Sequence, residues 1–250
     1  MTSQPMNSEP IIRERAIPRA TYRLQLHAGF TFDDAARIAP YLARLGISHA
    51  YLSPILQAAP GSTHGYDAVD PTRIDRERGG AEGLRRLREA LAREGLGLVV
   101  DIVPNHLAVG GPENRWWRGV LEHGPLARHS DAFDVEWSFG GDEHDNRVLL
   151  PVLGDHYGRC LEAGQIRVVR GEQDPARFEA AYFDHRYPLS PRTLDAIFRD
   201  ASEIAAGEAS ADLAFLADAS FALPDAMVPA PEAAERRARD AAAIRRFLDR

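Results

Sequence analysis

The chain contains no lysine: all 30 of its basic residues are arginine, which reads as a GC-rich coding bias rather than as a function. Cysteine is almost missing too. Cys160 stands alone, so no disulfide can close within the chain, and a reducing compartment is the expectation. No stretch approaches the ~18 consecutive apolar residues of a membrane span. The first fifteen residues carry Glu9, Arg13, Glu14 and Arg15 in place of the apolar stretch of a signal peptide. These absences together predict a cytoplasmic protein with no membrane partner. A basic excess is lacking as well: 37 acidic against 30 basic residues give a net charge of −7, which provides no footprint for nucleic acid. No Gly-x-Gly-x-x-Gly follows an apolar run, so a dinucleotide site is weakly supported. Neither a cofactor nor a metal is expected.

What is present is enough apolar material for a real core, 44% of 250 residues, in one large domain or two small ones. Residues 1–17 read as a disordered lead-in. From Ala20 onward Tyr22, Leu24 and Leu26 alternate with Arg23, Gln25 and His27, which predicts a strand over 20–26. Thr31 is a good helix N-cap, with Asp33 and Asp34 near the positive end of the dipole. Ala35, Ile38, Leu42 and Leu45 then recur at helical spacing until Gly46. A second strand is predicted over 47–52. Residues 54–80 read as a long loop, and loops of that length are usually functional. Leu84, Leu87 and Leu91 mark one face of the next helix, with a Glu89/Arg93 pair on the other and Gly95 past its end.

The third strand, over 96–103, organises the chain. It runs Leu96-Gly-Leu-Val-Val and then delivers Asp101, Asn105 and His106 within six residues, broken by Pro104. Polar groups after a parallel strand are where barrels and doubly wound sheets alike place their chemistry. The alternation of strand and helix allows either architecture.

Beyond His106 the regularity stops. Residues 107–165 are rich in Gly, Pro, Trp and His, and Trp116, Trp117 and Trp137 read as anchors of a small core in preference to sugar platforms. Ile166–Val169 and Phe178–Tyr182 predict a hairpin around Gly171 to Asp174. Ser190-Pro191 predicts a helix start, Pro224, Pro229 and Pro231 a linker, and Ala233 to Arg250 a largely solvated helix.

Read together, these stretches resemble a known family. Asp101-Ile-Val-Pro-Asn-His106 and His64-Gly-Tyr-Asp-Ala-Val-Asp70 are similar to motifs of the α-amylase superfamily, glycoside hydrolase family 13. Pro18-Arg-Ala-Thr-Tyr-Arg-Leu-Gln25, Ser53-Pro-Ile-Leu56 and Gly61-Ser-Thr-His-Gly-Tyr-Asp67 resemble its trehalose-forming branch, whose members rearrange the reducing end of a maltodextrin. So do Asn114-Arg-Trp-Trp117, Val120-Leu-Glu-His-Gly-Pro125, Val148-Leu-Leu-Pro-Val-Leu-Gly-Asp155 and Tyr187-Pro-Leu-Ser-Pro-Arg192. The similarity runs from about residue 17 to about residue 195.

The resemblance implies an α/β fold: the N-terminal part of a (β/α)8 barrel, with an irregular domain inserted after the third strand. Residues 18–106 would form the first three β/α units, 107–230 the inserted region and 231–250 the start of a helical segment. It also implies roles. His106 would donate to hydroxyls of the sugar at the cleavage point, Tyr66 would stack on that sugar, and Asp67 would accept from its outer hydroxyls. Asp101 would sit behind and position an arginine, with Asn105 and His64 in support. The partners implied are a maltooligosaccharide and a trehalose-releasing hydrolase. The alternatives are hydrolysis of α-1,4-glucan by another family 13 activity and a non-catalytic glucan-binding chain.

One part of the family pattern is missing. A retaining enzyme of this kind needs two carboxyl groups roughly 5 Å apart. The nucleophile's Arg-x-Asp motif on an apolar strand is not found after residue 106, and Arg237-Ala-Arg-Asp240 lies in the Arg-rich helix. The expectation is therefore that the catalytic carboxylates lie beyond Arg250 and that this chain alone is inactive. Two further expectations follow: Asp101 without its arginine partner, and a third strand left as an apolar edge prone to aggregation.

Overall fold

The computed structural model describes residues 17–138, 147–172, 174, 176–225 and 231–249. Residues 1–16 of the expected lead-in, parts of the expected hairpin turn, and Pro229 of the expected linker lie outside the described residues. The chain divides into two compact units, one up to Leu107 and the other from Ala108.

Three parallel strands make the centre of the first unit: β1 (Thr21–Leu24), β2 (His49–Leu52) and, after two intervening strands, β5 (Gly97–Val100). They lie in the order β1-β2-β5, with Leu24 opposite Leu52 and Leu52 opposite Val100. All three are shorter than their apolar patterns. In β5 the pairing ends at Val100, before Pro104 withdraws a backbone donor. All four β5 residues are half-buried and not covered on both faces, because β2 is the strand's sole partner among the described residues. Leu24, Leu26, Ala50 and Leu52 pack with Phe32, Leu42, Leu87 and Leu91 in one core.

The helix read from Ala35 to Leu45 is two helices, α1 (Phe32–Arg37) and α2 (Ala39–Arg44). Pro40 is the reason: it has no N–H to give the preceding turn and its ring crowds the carbonyl four residues back. Thr31 caps α1 as expected, in a box closed by Asp34, whose carboxylate accepts from the Thr31 N–H at 2.7 Å. At the end of α2, Gly46 takes φ +82°. The Gly46 N–H then reaches Ala43 O at 3.0 Å and the Ile47 N–H reaches Leu42 O at 3.1 Å, which turns the chain into β2. Gly95 repeats the device after α3 (Gly80–Arg93) and launches β5. The expected Glu89/Arg93 pair does not form. Glu89 instead meets Arg85 one turn back, at 2.6 Å, and Arg86 grips Asp33 with two hydrogen bonds.

The 54–80 segment is not structureless. It folds as an antiparallel pair, β3 (Leu56–Ala58) and β4 (Ala68–Ile74), with register shifts at both steps of β3. Those shifts break the two-residue period, so the pattern gave no strand signal. A buried Asp75–Arg78 pair staples the segment. The Asp75 carboxylate accepts from the backbone N–H groups of Ala58 and Arg78, and Arg78 Nη1 donates to Pro54 O at 2.7 Å.

In the second unit, α4 (Arg115–His123) was not legible as a helix, although Asn114 caps it by accepting from the N–H groups of Trp116 and Trp117. Trp117 and Val120 are buried, with Trp137 packed against them, so these tryptophans do anchor a small core. After α5 (Tyr157–Glu162), the expected hairpin forms as β6 (Ile166–Arg170) and β7 (Phe178–Tyr182), joined by an unanticipated third strand, β8 (His185–Pro188). Ser190-Pro191 does open a helical segment, as a single 3-10 turn leading into α6 (Leu194–Ile204). Helices α7 (Glu208–Phe221) and α8 (Pro231–Leu248) follow. The expectation of a largely solvated final helix holds for most of its length but not for one face. Arg237, Ala241 and Ile244 of α8 are buried, and Arg237 Nη2 donates to Ser190 Oγ at 2.7 Å. Among the described residues no helix is long and apolar enough to cross a membrane.

Candidate functional site

The first unit gathers its reactive side chains after the parallel strands. Arg23 of β1, Tyr66 of the β3–β4 connection, and Asp101 just past β5 form a closed triangle. Arg23 Nη1 donates to Asp101 Oδ2 at 2.9 Å, Arg23 Nη2 donates to the Tyr66 hydroxyl at 2.9 Å, and that hydroxyl donates to Asp101 Oδ2 at 2.5 Å. The Arg23 guanidinium also lies 4.4 Å from the centre of the Tyr51 ring. His106 joins from the far side, its Nε2 2.9 Å from Tyr66 O. A carbonyl can only accept, so this ring nitrogen carries the proton.

The expectation of an Asp101 without an arginine is therefore overturned. Arg23 sits two strands away, but the in-register sheet puts the residue after β5 beside the side chain of β1 that points the same way. In the sequence Arg23 stands as the polar member of an alternating strand and inside the Pro18–Gln25 motif, with no partner indicated. Its place in Tyr-Arg-Leu-Gln, directed away from the core side of Leu24, was the available signal. The Tyr66 hydroxyl, and then Arg23, hold the Asp101 carboxyl below the usual carboxylate range.

Local geometry fixes the other expected residues. Gly65, at φ +84°, lies against the buried Arg78: a Cβ there would stand 2.8 Å from Arg78 Nη1 and 2.9 Å from Pro54 O. Only glycine lets the chain pass this close, and it presents Tyr66 to solvent. Asp67 accepts from Ser62 Oγ at 2.5 Å and lies 3.8 Å from His64 Nδ1. His64 Nδ1 accepts from the Tyr66 N–H at 3.1 Å, and the His64 ring lies nearly parallel to that of Tyr66. Gln25 Nε2 ties the same loop down by donating to Thr63 O at 3.0 Å. Asn105 and His106 are exposed, Tyr66 is 41% exposed, and the Asp101 side chain keeps 17%. The group thus offers an aromatic ring fixed at its hydroxyl, an imidazole N–H, and carboxylates. That set suits a neutral, hydroxyl-rich ligand.

Comparison with known proteins first brings out a likeness to one class. Residues 37–148 match the model of the alpha amylase catalytic domain, a stretch that includes Tyr66, Asp67, Asp101 and His106. The particular proteins the chain resembles are the maltooligosyl trehalose synthases, and it resembles their N-terminal portion. It is 50% identical to the putative maltooligosyl trehalose synthase of Mycobacterium tuberculosis over 141 residues, which is 54% of this chain and 18% of that protein. The solved maltooligosyltrehalose synthase of Arthrobacter ramosus superposes with a TM-score of 0.60 at 48% identity, covering 69% of this chain and 21% of that one. The intracellular maltogenic amylase of Bacillus subtilis is 34% identical over 119 residues, 48% of this chain and 17% of that protein. The chain thus spans about a fifth of the length of the relatives it matches.

Proposed function

We propose that this chain supplies the glucan-holding part of a maltooligosyl trehalose synthase, an intramolecular transglycosylase. The reaction converts the reducing-end α-1,4 link of a maltooligosaccharide into an α,α-1,1 link. The observation that carries the reading is the triangle of Arg23, Tyr66 and Asp101 with His106 beside it, of which Tyr66, Asp101 and His106 fall within residues 37–148 that match the alpha amylase catalytic domain. In this reading the first unit is the opening of a (β/α)8 barrel, and residues 107–230 are a domain inserted after its third strand.

Each side chain then has a task. The face of Tyr66 stacks on the glucosyl ring, and Arg23 with Asp101 holds that ring upright before the sugar arrives, which reduces the ordering cost of binding. His106 donates its Nε2 proton to a sugar hydroxyl, exchanging Tyr66 O for the ligand. Asp67 accepts from outer hydroxyls, with His64 and Asn105 supporting the loop ends. A carboxylate nucleophile attacks C1 while a carboxylic acid protonates the departing glucose at O4. That glucose turns over and returns its anomeric hydroxyl to C1, restoring both carboxyl groups. Those two carboxyl groups are assigned to no residue of this chain. A cytoplasmic setting and a trehalose-releasing hydrolase acting on the product complete the proposal.

The test is product analysis by NMR after incubation with maltopentaose, using the chain alone and co-expressed with the polypeptide encoded downstream. A non-reducing, trehalose-ended product from the pair and none from the chain alone is the expected result. Free maltose with no trehalose end would favour the second reading, α-1,4-glucan hydrolysis, for which the likeness to a maltogenic amylase speaks. Turnover by residues 1–250 alone would contradict the assignment of a holding role.

A further inference from the structure

The β7–β8 hairpin of the second unit carries an aromatic residue where the backbone calls for a different one. Tyr182 and His185 pair across the hairpin, leaving Phe183 and Asp184 as its two loop residues. Phe183 has φ +49°, and among the described residues it is the sole non-glycine with positive φ. Two-residue hairpins give such a position to glycine, asparagine or aspartate, because a bulky side chain there crowds its own backbone. Its ring is 65% exposed, so burial does not explain its presence.

The strain is actively braced. Arg186 Nη1 donates to Phe183 O at 2.5 Å and to His185 O at 2.9 Å, tying both sides of the loop. The Tyr182 ring meets Phe183 edge to face at 4.7 Å and is itself buried, its hydroxyl accepting from the Gly154 N–H at 2.8 Å. Behind it the rings of Tyr182, His185 and Tyr187 lie nearly parallel, with centroids 6.4 Å and 6.0 Å apart. A strained residue persists only where its surroundings over-determine it, and such residues gather at ligand contacts. Here the surroundings hold an exposed phenyl ring outward on a rigid base.

We propose that Phe183 is the stacking contact of a glucan-binding site on the second unit, with Asp184 and Arg186 at hand for sugar hydroxyls. A protein partner would need roughly 800 Å² on this side, and one phenyl ring offers at most about a third of that. A flat, neutral ligand bordered by hydrogen-bonding groups fits the scale and the chemistry. The choice of a glucan rests on the function proposed above; the existence of a site rests on the hairpin.

The experiment is NMR titration of the full chain with maltoheptaose, following the hairpin amides and those near Tyr66, in wild type, Phe183→Gly, Phe183→Ala and His106→Ala. Phe183→Gly relieves the backbone, so its thermal midpoint should equal or exceed that of wild type, while binding read at the hairpin weakens roughly three- to tenfold. His106→Ala should leave the hairpin response intact. Hairpin shifts unchanged in both Phe183 variants would overturn the proposal. So would a large fall in midpoint for Phe183→Gly with undiminished binding, because the ring would then be packing. Concentration-dependent hairpin shifts without sugar would mean a second copy of the chain as the occupant, also against it. A hairpin response with none near Tyr66 would sustain this site while the reading of Tyr66 and His106 fails.

Discussion

The two units each hold a carboxylate paired with arginine, and they use it differently. In the first, Asp101 shares one oxygen between Arg23 and the Tyr66 hydroxyl, keeps an open side, and leaves an aromatic ring and an imidazole free to meet a ligand. In the second, Glu122 at the end of α4 is 4% exposed. Its two oxygens pair separately with Arg177, next to β7, and Arg245 of α8. One carboxylate is left accessible and the other is sealed. The lesson is that an ion pair alone does not mark a site; accessibility and the chemistry of the third neighbour do.

The sealed pair should matter most to stability. Glu122→Ala would strip Arg245 of its paired carboxylate and leave Arg177 with Asp174 alone, at a cost of about 3 kcal/mol in urea melts, with glucan binding near Tyr66 unchanged. Next comes pH. Burial, helped by Arg237, Arg245 and Arg177 against an opposing Glu122, lowers the His123 pKa from 6.5 to about 4. The unfolded chain thus binds this proton first as pH falls, and the native state loses stability between pH 6.5 and about 4, on the order of 3 kcal/mol in all. His123→Gln should flatten that limb of the stability curve.

Smaller effects belong to the open carboxylate. Gly65→Ala forces a side chain against Arg78 and Pro54, and should cost about 1–3 kcal/mol while misplacing Tyr66. Arg23→Ala removes a partly exposed pair and should cost no more than about 1 kcal/mol. Its signature lies elsewhere. The Asp101 carboxyl is held low by Tyr66 and Arg23, so its contribution is complete above the ordinary value of 3.8 and is lost as pH falls through the lower native value. Arg23→Ala should therefore reduce stability above pH 4 and steepen nothing between pH 4 and 6.5, the reverse of the His123 response.

The same division governs what could be read beforehand. In the first unit the three strands and the glycine stops at Gly46 and Gly95 were legible because local chemistry dictates them. The break at Pro40 is also written in the sequence, as a proline inside the helical pattern. The β3–β4 pair was not legible, since its shifted register erases the alternation that betrays a strand. Tyr66, Asp101 and His106 could be singled out from the motifs of a known family. Arg23 lies in such a motif too, but its pairing could not be read, because its partner is 78 residues away and only the sheet register joins them. In the second unit the hairpin showed through its β-branched run, but the burial of α8 depends on non-local packing by Ala241 and Ile244 that an Ala/Arg-rich pattern conceals.

The accessible carboxylate group should hold sugar, and the sealed one should not. Calorimetric titration of maltopentaose into wild type, His106→Ala and Glu122→Gln measures that directly. The prediction is millimolar binding, about −4 kcal/mol, in wild type and Glu122→Gln, with the heat in His106→Ala reduced to what the Phe183 site alone contributes. Equal heats from wild type and His106→Ala would contradict it.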